Sequence, residues 1–170
     1  MKKTYYIFIL LIFSNYTFSQ NQFSSKIKSD CEIMISAIKN NDYNKILDYT
    51  YPKIIEIGGG REKLSSLMKS TIDKMKNEGY VFENQIIDEP QNIYVAGKEL
   101  HCIIPKKTIM KTPKGKIQAT YYYLGISKNG GGKWYFIETH MLNDENIKLI
   151  FSNFNYDLKI PKNSKPILID

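Results

Sequence analysis

The chain has 170 residues, 42% of them hydrophobic and 24% charged, with a net charge of +7; this describes one globular domain able to bury a core without a metal or disulfide. A single arginine, Arg61, and lysines scattered along the chain exclude the concentrated basic face of a nucleic-acid binder. Two histidines and two cysteines, without a C-x-x-C pair or a recognisable ligand spacing, give no metal site and no dithiol redox motif, and no cofactor is expected.

Lys2 and Lys3 precede a continuous apolar run from Tyr5 to Phe13, and Thr17-Phe18-Ser19 supplies the small residues of a cleavage site. The run is shorter than the roughly 20 residues that span a bilayer, and Ser14 and Asn15 break it. Residues 1–19 are therefore expected to be a signal peptide, followed by one domain over 20–155 and an extended tail over 156–170. Removal of Lys2 and Lys3 with the leader lowers the net charge to +5. The nearest cysteine, Cys31, is too distant to accept a lipid, so an exported protein, periplasmic or extracellular and without a membrane anchor after cleavage, is expected.

Ile27, Cys31, Met34, Ile35 and Ile38 recur at helical spacing, predicting an amphipathic helix over Ser25–Asn40. Asp42 caps a second helix carrying Tyr43, Ile46 and Leu47, and Pro52 interrupts it before a further turn containing Ile54, Ile55 and Ile57. After Gly58-Gly59-Gly60, the spacing of Leu64, Leu67, Met68, Ile72 and Met75 predicts a longer helix ending at Gly79. The pattern then becomes extended over Tyr80–Ile87, Ile93–Ala96, Glu99–Met110, Lys116–Ile126 and Lys133–His140, with turn residues between runs. Pro105 implies an edge or a bulge in the longest run, and Asn143–Phe151 is read as a short helix. Helices followed by hairpin-linked strands give an α+β fold with the helices on one face of an antiparallel sheet.

Tyr121-Tyr122-Tyr123-Leu124, a glycine turn, and the final Gly131-Gly132-Lys133-Trp134-Tyr135-Phe136-Ile137-Glu138 strand resemble the nuclear transport factor 2-like superfamily over roughly Ser25–His140. The resemblance implies a cone: a strongly curved antiparallel sheet wrapping the helices around a pocket. On that basis, a non-catalytic exported binding or interaction module is expected, holding a small apolar or amphipathic ligand or a partner peptide in the cone. Self-association into a homodimer is implied as well. The alternative is a lyase or isomerase acting through pocket side chains.

Strand parity places Glu138 with Trp134, Phe136 and His140, and His101 on the side opposite Cys102. Glu138 is the candidate base, with His101 and one of Tyr121 to Tyr123 as acid or oxyanion donor, because an apolar cleft raises a carboxylate pKa towards neutrality and a tyrosine hydroxyl supports a developing oxyanion. Tyr49, His101, Tyr121, Tyr123, Trp134 and Glu138 are the candidate ligand-binding residues, since tyrosines offer apolar walls with polar tips. The lysine-rich stretch Lys106-Lys107 through Lys116 is read as a solvated hairpin. Cys31 and Cys102 both point into a helix–sheet core, where they are either bridged or two buried thiols.

Overall fold

Ile27, Cys31, Met34 and Ala37 form the buried stripe of the first helix in the computed structural model, which describes residues 23–169. The expected signal peptide, 1–19, lies outside the described residues. Helix α1 (23–39) ends where Asn41 takes a left-handed φ of 55°. Asp42 then caps α2 (Tyr43–Tyr49) by accepting the Lys45 N–H. Pro52 is tolerated at the first position of α3 (Pro52–Ile57), where no intrahelical N–H bond is lost. Helix α4 (Arg61–Asn77) follows the glycine break, and Gly79, at φ 84°, turns the chain into the sheet.

Strands β1 (Val81–Ile87), β2 (Tyr94–Ala96), β3 (Glu99–Thr112), β4 (Gly115–Ser127) and β5 (Tyr135–Glu138) form an antiparallel sheet in the order β1-β3-β4-β5, with β2 on the outer side of β3. Asn143 and Asn146 make a reciprocal capping box for α5 (Asp144–Ile150). The tail buries Leu158 and returns as a sixth strand, β6 (Ile167–Ile169), which pairs with β4 at Lys116–Gln118.

Pro105 does not disturb the β3–β4 ladder, which runs unshifted from Leu100↔Ser127 to Thr112↔Gly115. Its carbonyl accepts the Asp88 N–H, so its missing N–H points to the same outer side, where the neighbour changes from β1 to β2. The bulge lies instead in β1, between Phe82 and Asn84.

The cone implied by the resemblance does not form: the sheet is open and not strongly curved. Its end strands β1 and β5 do not pair. Pronounced curvature needs repeated bulges or kinks, and the two longest strands run side by side without one. Each face is instead covered by the chain itself. On one face Cys102, Ile104, Tyr123 and Phe136 pack against Ile27, Cys31 and Met34 of α1 and Ile46 and Tyr49 of α2. On the other, Ile103, Leu124, Ile126 and Ile137 pack against Ile147 and Ile150 of α5, together with Phe151 and Leu158. Trp134 occupies the space between α1 and the sheet: its backbone N–H donates to the buried Asp30 carboxylate at 3.0 Å and its indole to Gly131 O at 3.2 Å.

Candidate functional site

The expected pocket residues are divided between two filled layers. Glu138, Tyr123, Trp134 and Tyr49 lie on the α1 face, Tyr121 shares their strand parity at the partly buried end of that face, and His101 lies on the α5 face. A catalytic set joining Glu138, His101 and a tyrosine is therefore not assembled, because the backbone of the sheet separates its two proton-transfer groups. The ligand-holding cone is likewise absent: the sheet is open, and α1 packs directly on its face.

On the α1 face, Glu138 Oε1 accepts from Lys106 Nζ at 2.5 Å, and the same ammonium stands 3.9 Å from the Tyr123 ring centroid. Lys106 is buried, not a solvated hairpin residue, because its strand position points it into the layer between sheet and helices. The carboxylate and the π face compensate its desolvation. Burial, with the Glu138 charge nearby, pushes the Tyr123 hydroxyl well above its ordinary range. Glu138 Oε2 also lies 3.8 Å from His140 Nδ1, at the solvent end of the array. Cys31 and Cys102 are free thiols in this layer. Burial raises both, Cys102 to about 12, which suppresses the reactive thiolate.

On the α5 face, His101 Nε2 lies 3.2 Å from Glu99 Oε2, and Glu99 Oε1 accepts the Tyr51 hydroxyl at 2.9 Å. The imidazole is fully buried against the Phe151 and Phe154 rings, at 5.1 and 5.7 Å between centroids. Burial lowers its pKa, and the hydrogen bond to Glu99 opposes that shift. This array ties β3 to the segment after α5; its imidazole has no route to a substrate.

The side of the molecule formed by α4, β1 and the C-terminal end of α1 differs from both layers. Helix α4 buries none of its residues fully, and Leu67, Tyr80, Val81, Phe82 and Ile86 are exposed. Between the three elements runs a groove of about 150 Å³ lined by Ile35, Ile38, Ile72, Met75, Tyr80 and Phe82, with Lys39, Lys76, Glu83 and Gln85. Glu83 is paired with Lys116 at 2.8 Å, and Lys76 donates to Asn41 Oδ1 at 3.1 Å. Gln85 pairs in register with Thr108 on the adjacent strand. Gln85 Oε1 and Thr108 Oγ1 are both buried without a hydrogen-bond partner among the described residues.

The sequence carries the signal for this face in the apolar stripe of α4 followed by Tyr80-Val81-Phe82, but the same pattern describes an ordinary core helix and strand. Among the described residues, no cluster of three or more His, Cys, Asp or Glu side chains is placed to hold a metal, and no helix is long and apolar enough to cross a membrane. No family model, curated protein or solved structure matches the chain.

Proposed function

We propose that the chain is an exported protein-interaction module whose working surface is the side built from α4, β1 and the end of α1. The observation that carries this reading is the open groove there, on whose lining Tyr80, Val81 and Phe82 are exposed, Phe82 at 39%, with Leu67 standing 60% exposed elsewhere on α4. Both sheet faces, in contrast, are closed by the chain's own side chains. Other exposed apolar residues, such as Val95 and Leu149, stand apart from that groove and need no partner. Export is supported by the basic, apolar and small-residue pattern of Met1 to Gln20. The module comprises 20–155, with 156–170 as a strap along it.

The β1 bulge interrupts the regular edge, so strand-to-strand pairing with a second copy suits this surface less well than a protein laid onto the face. The test is a photo-crosslinking amino acid placed at position 67, 82 or 95 in protein produced in its own host. A defined adduct from positions 67 and 82, absent from 95, is expected. No adduct, or equal adducts from all three, overturns the reading, and the adduct mass separates a second copy from another protein.

A further inference from the structure

We infer that the outer edge of β4 is a strand-accepting site held in this structure by the chain's own C-terminus, and that an extended segment of a partner protein, patterned like residues 164–169, replaces the tail when it lifts off. This surface is distinct from the docking face proposed above, and the two stand or fall separately. Thr120 turns both of its backbone groups outward: its N–H donates to Ser164 Oγ at 2.8 Å, and its carbonyl accepts the Ser164 N–H at 3.0 Å. Backbone groups alternate in direction along a strand, so those of Gln118 and Lys116 point the same way, where Ile167 and Ile169 meet them in register. The tail is thus held mainly through backbone groups, which an extended segment of another protein reproduces. Its side chains add little, since Ile167 and Leu168 stand 57% and 68% exposed.

The tail is anchored further back. Leu158 is buried and Ile160 packs on the α5-face cluster, whereas between Ile160 and β6 only Ser164 hydrogen-bonds to the body among the described residues. Pro161 and Pro166 lie in this link and carry no N–H to hold it. Strand β6 therefore parts from β4 without disturbing either core, and leaves Lys116, Gln118 and Thr120 with unpaired backbone groups at an open edge. The tail also defines what fits there: a serine hydroxyl opposite Thr120, then three apolar residues, the middle one lying over Gly115, where an added Cβ would meet Leu168 at 3.2 Å.

The probe is the end-blocked, fluorescent peptide Lys-Asn-Ser-Lys-Pro-Ile-Leu-Ile, the sequence of residues 162–169, titrated by anisotropy into the full mature protein and into its Ile167→Pro/Ile169→Pro variant. Proline removes both ladder donors of the chain's own strand and so releases it. The parent should bind the peptide weakly, because its tethered strand competes at an effective concentration of about 1 mM, and the variant about tenfold more tightly or better. Hydrogen exchange gives the place: amides of Lys116, Gln118 and Thr120 should lose protection in the variant and regain it with peptide, while that of Leu124 stays protected throughout. A control peptide with proline in place of both isoleucines should not bind. Equal affinity of the two proteins, no binding by either, tight binding of the control peptide, or undiminished protection of the β4 edge in the variant overturns the inference. Loss of Leu124 protection on release does so too, since the tail would then be part of the core.

Discussion

Leu124 and Leu67 are the same residue type in different parts of the fold, yet Leu124 is wholly buried in β4 and Leu67 stands 60% exposed on α4. What lies opposite makes the difference. Leu124 faces a layer built by α5 and the tail, whereas α4 meets chiefly α2 and α3 and leaves part of its apolar stripe uncovered. The edges of the sheet repeat the contrast. Thr50 bridges β5 at Phe136 and β6 covers β4 at Lys116–Gln118, while β1 has no outer partner among the described residues. An amphipathic pattern thus requires a second surface without saying which molecule supplies it.

Truncating the two leucines gives the largest separation. Leu124→Ala should cost about 3 kcal/mol through lost burial and an unfilled cavity, and Leu67→Ala less than about 0.5 kcal/mol, read from urea unfolding midpoints. Comparable losses would mean that α4 is as tightly packed as the sheet. Gly131 sharpens the picture of the closed side. Its φ is 96°, and an added Cβ would fall 1.9 Å from the Phe23 ring, so Gly131→Ala should destabilise by about 2 kcal/mol, combining backbone strain with displacement of that ring. A neutral effect would remove Phe23 from the core.

The buried ion pair supplies an intermediate effect. Glu138→Ala leaves the Lys106 ammonium buried without its carboxylate, at a cost of about 1–2 kcal/mol once the partial exposure of Glu138 is allowed for. Lys106→Met, which removes the charge that needs compensation, should cost less. The reverse order would show that Lys106 reaches water.

Acid has the smallest effect. Burial holds the His101 imidazole below its ordinary pKa, opposed by its hydrogen bond to Glu99, whose other oxygen accepts the Tyr51 hydroxyl. Above about pH 6.5 it is neutral in both the folded and unfolded chain; below that the unfolded chain takes up the proton first. Stability should therefore fall by less than about 1 kcal/mol over the first pH unit below 6.5. His101→Leu should flatten that dependence. A slope that persists in the variant would place its origin elsewhere.

Local structure was legible where it rests on spacing and caps. The α1 stripe, the Asp42 cap, the Gly79 stop and the parity that sets Cys102 and Ile104 against His101 and Ile103 all follow from neighbours in sequence. The shape of the sheet was not legible. Parity tells which side a residue faces but not whether that side is concave, and the Trp134-to-Glu138 motif is too short to fix curvature over five strands. Lys106 is buried because Glu138 meets it across β4, and Gly131 matters because Phe23 seats on it; both depend on contacts between residues far apart in the chain. The groove was hidden for the complementary reason, since Ile72 and Phe82 carry the same apolar signal whether covered by this chain or by another.

Hydrogen exchange of the isolated mature protein tests most directly whether the molecule is closed at its sheet faces and open along α4. Amides of Ile103, Ile104, Leu124 and Ile126 should exchange only through global unfolding, and those of residues 61–77 through local opening at a much lower free energy. Protection of α4 equal to that of β3 and β4 would contradict the account.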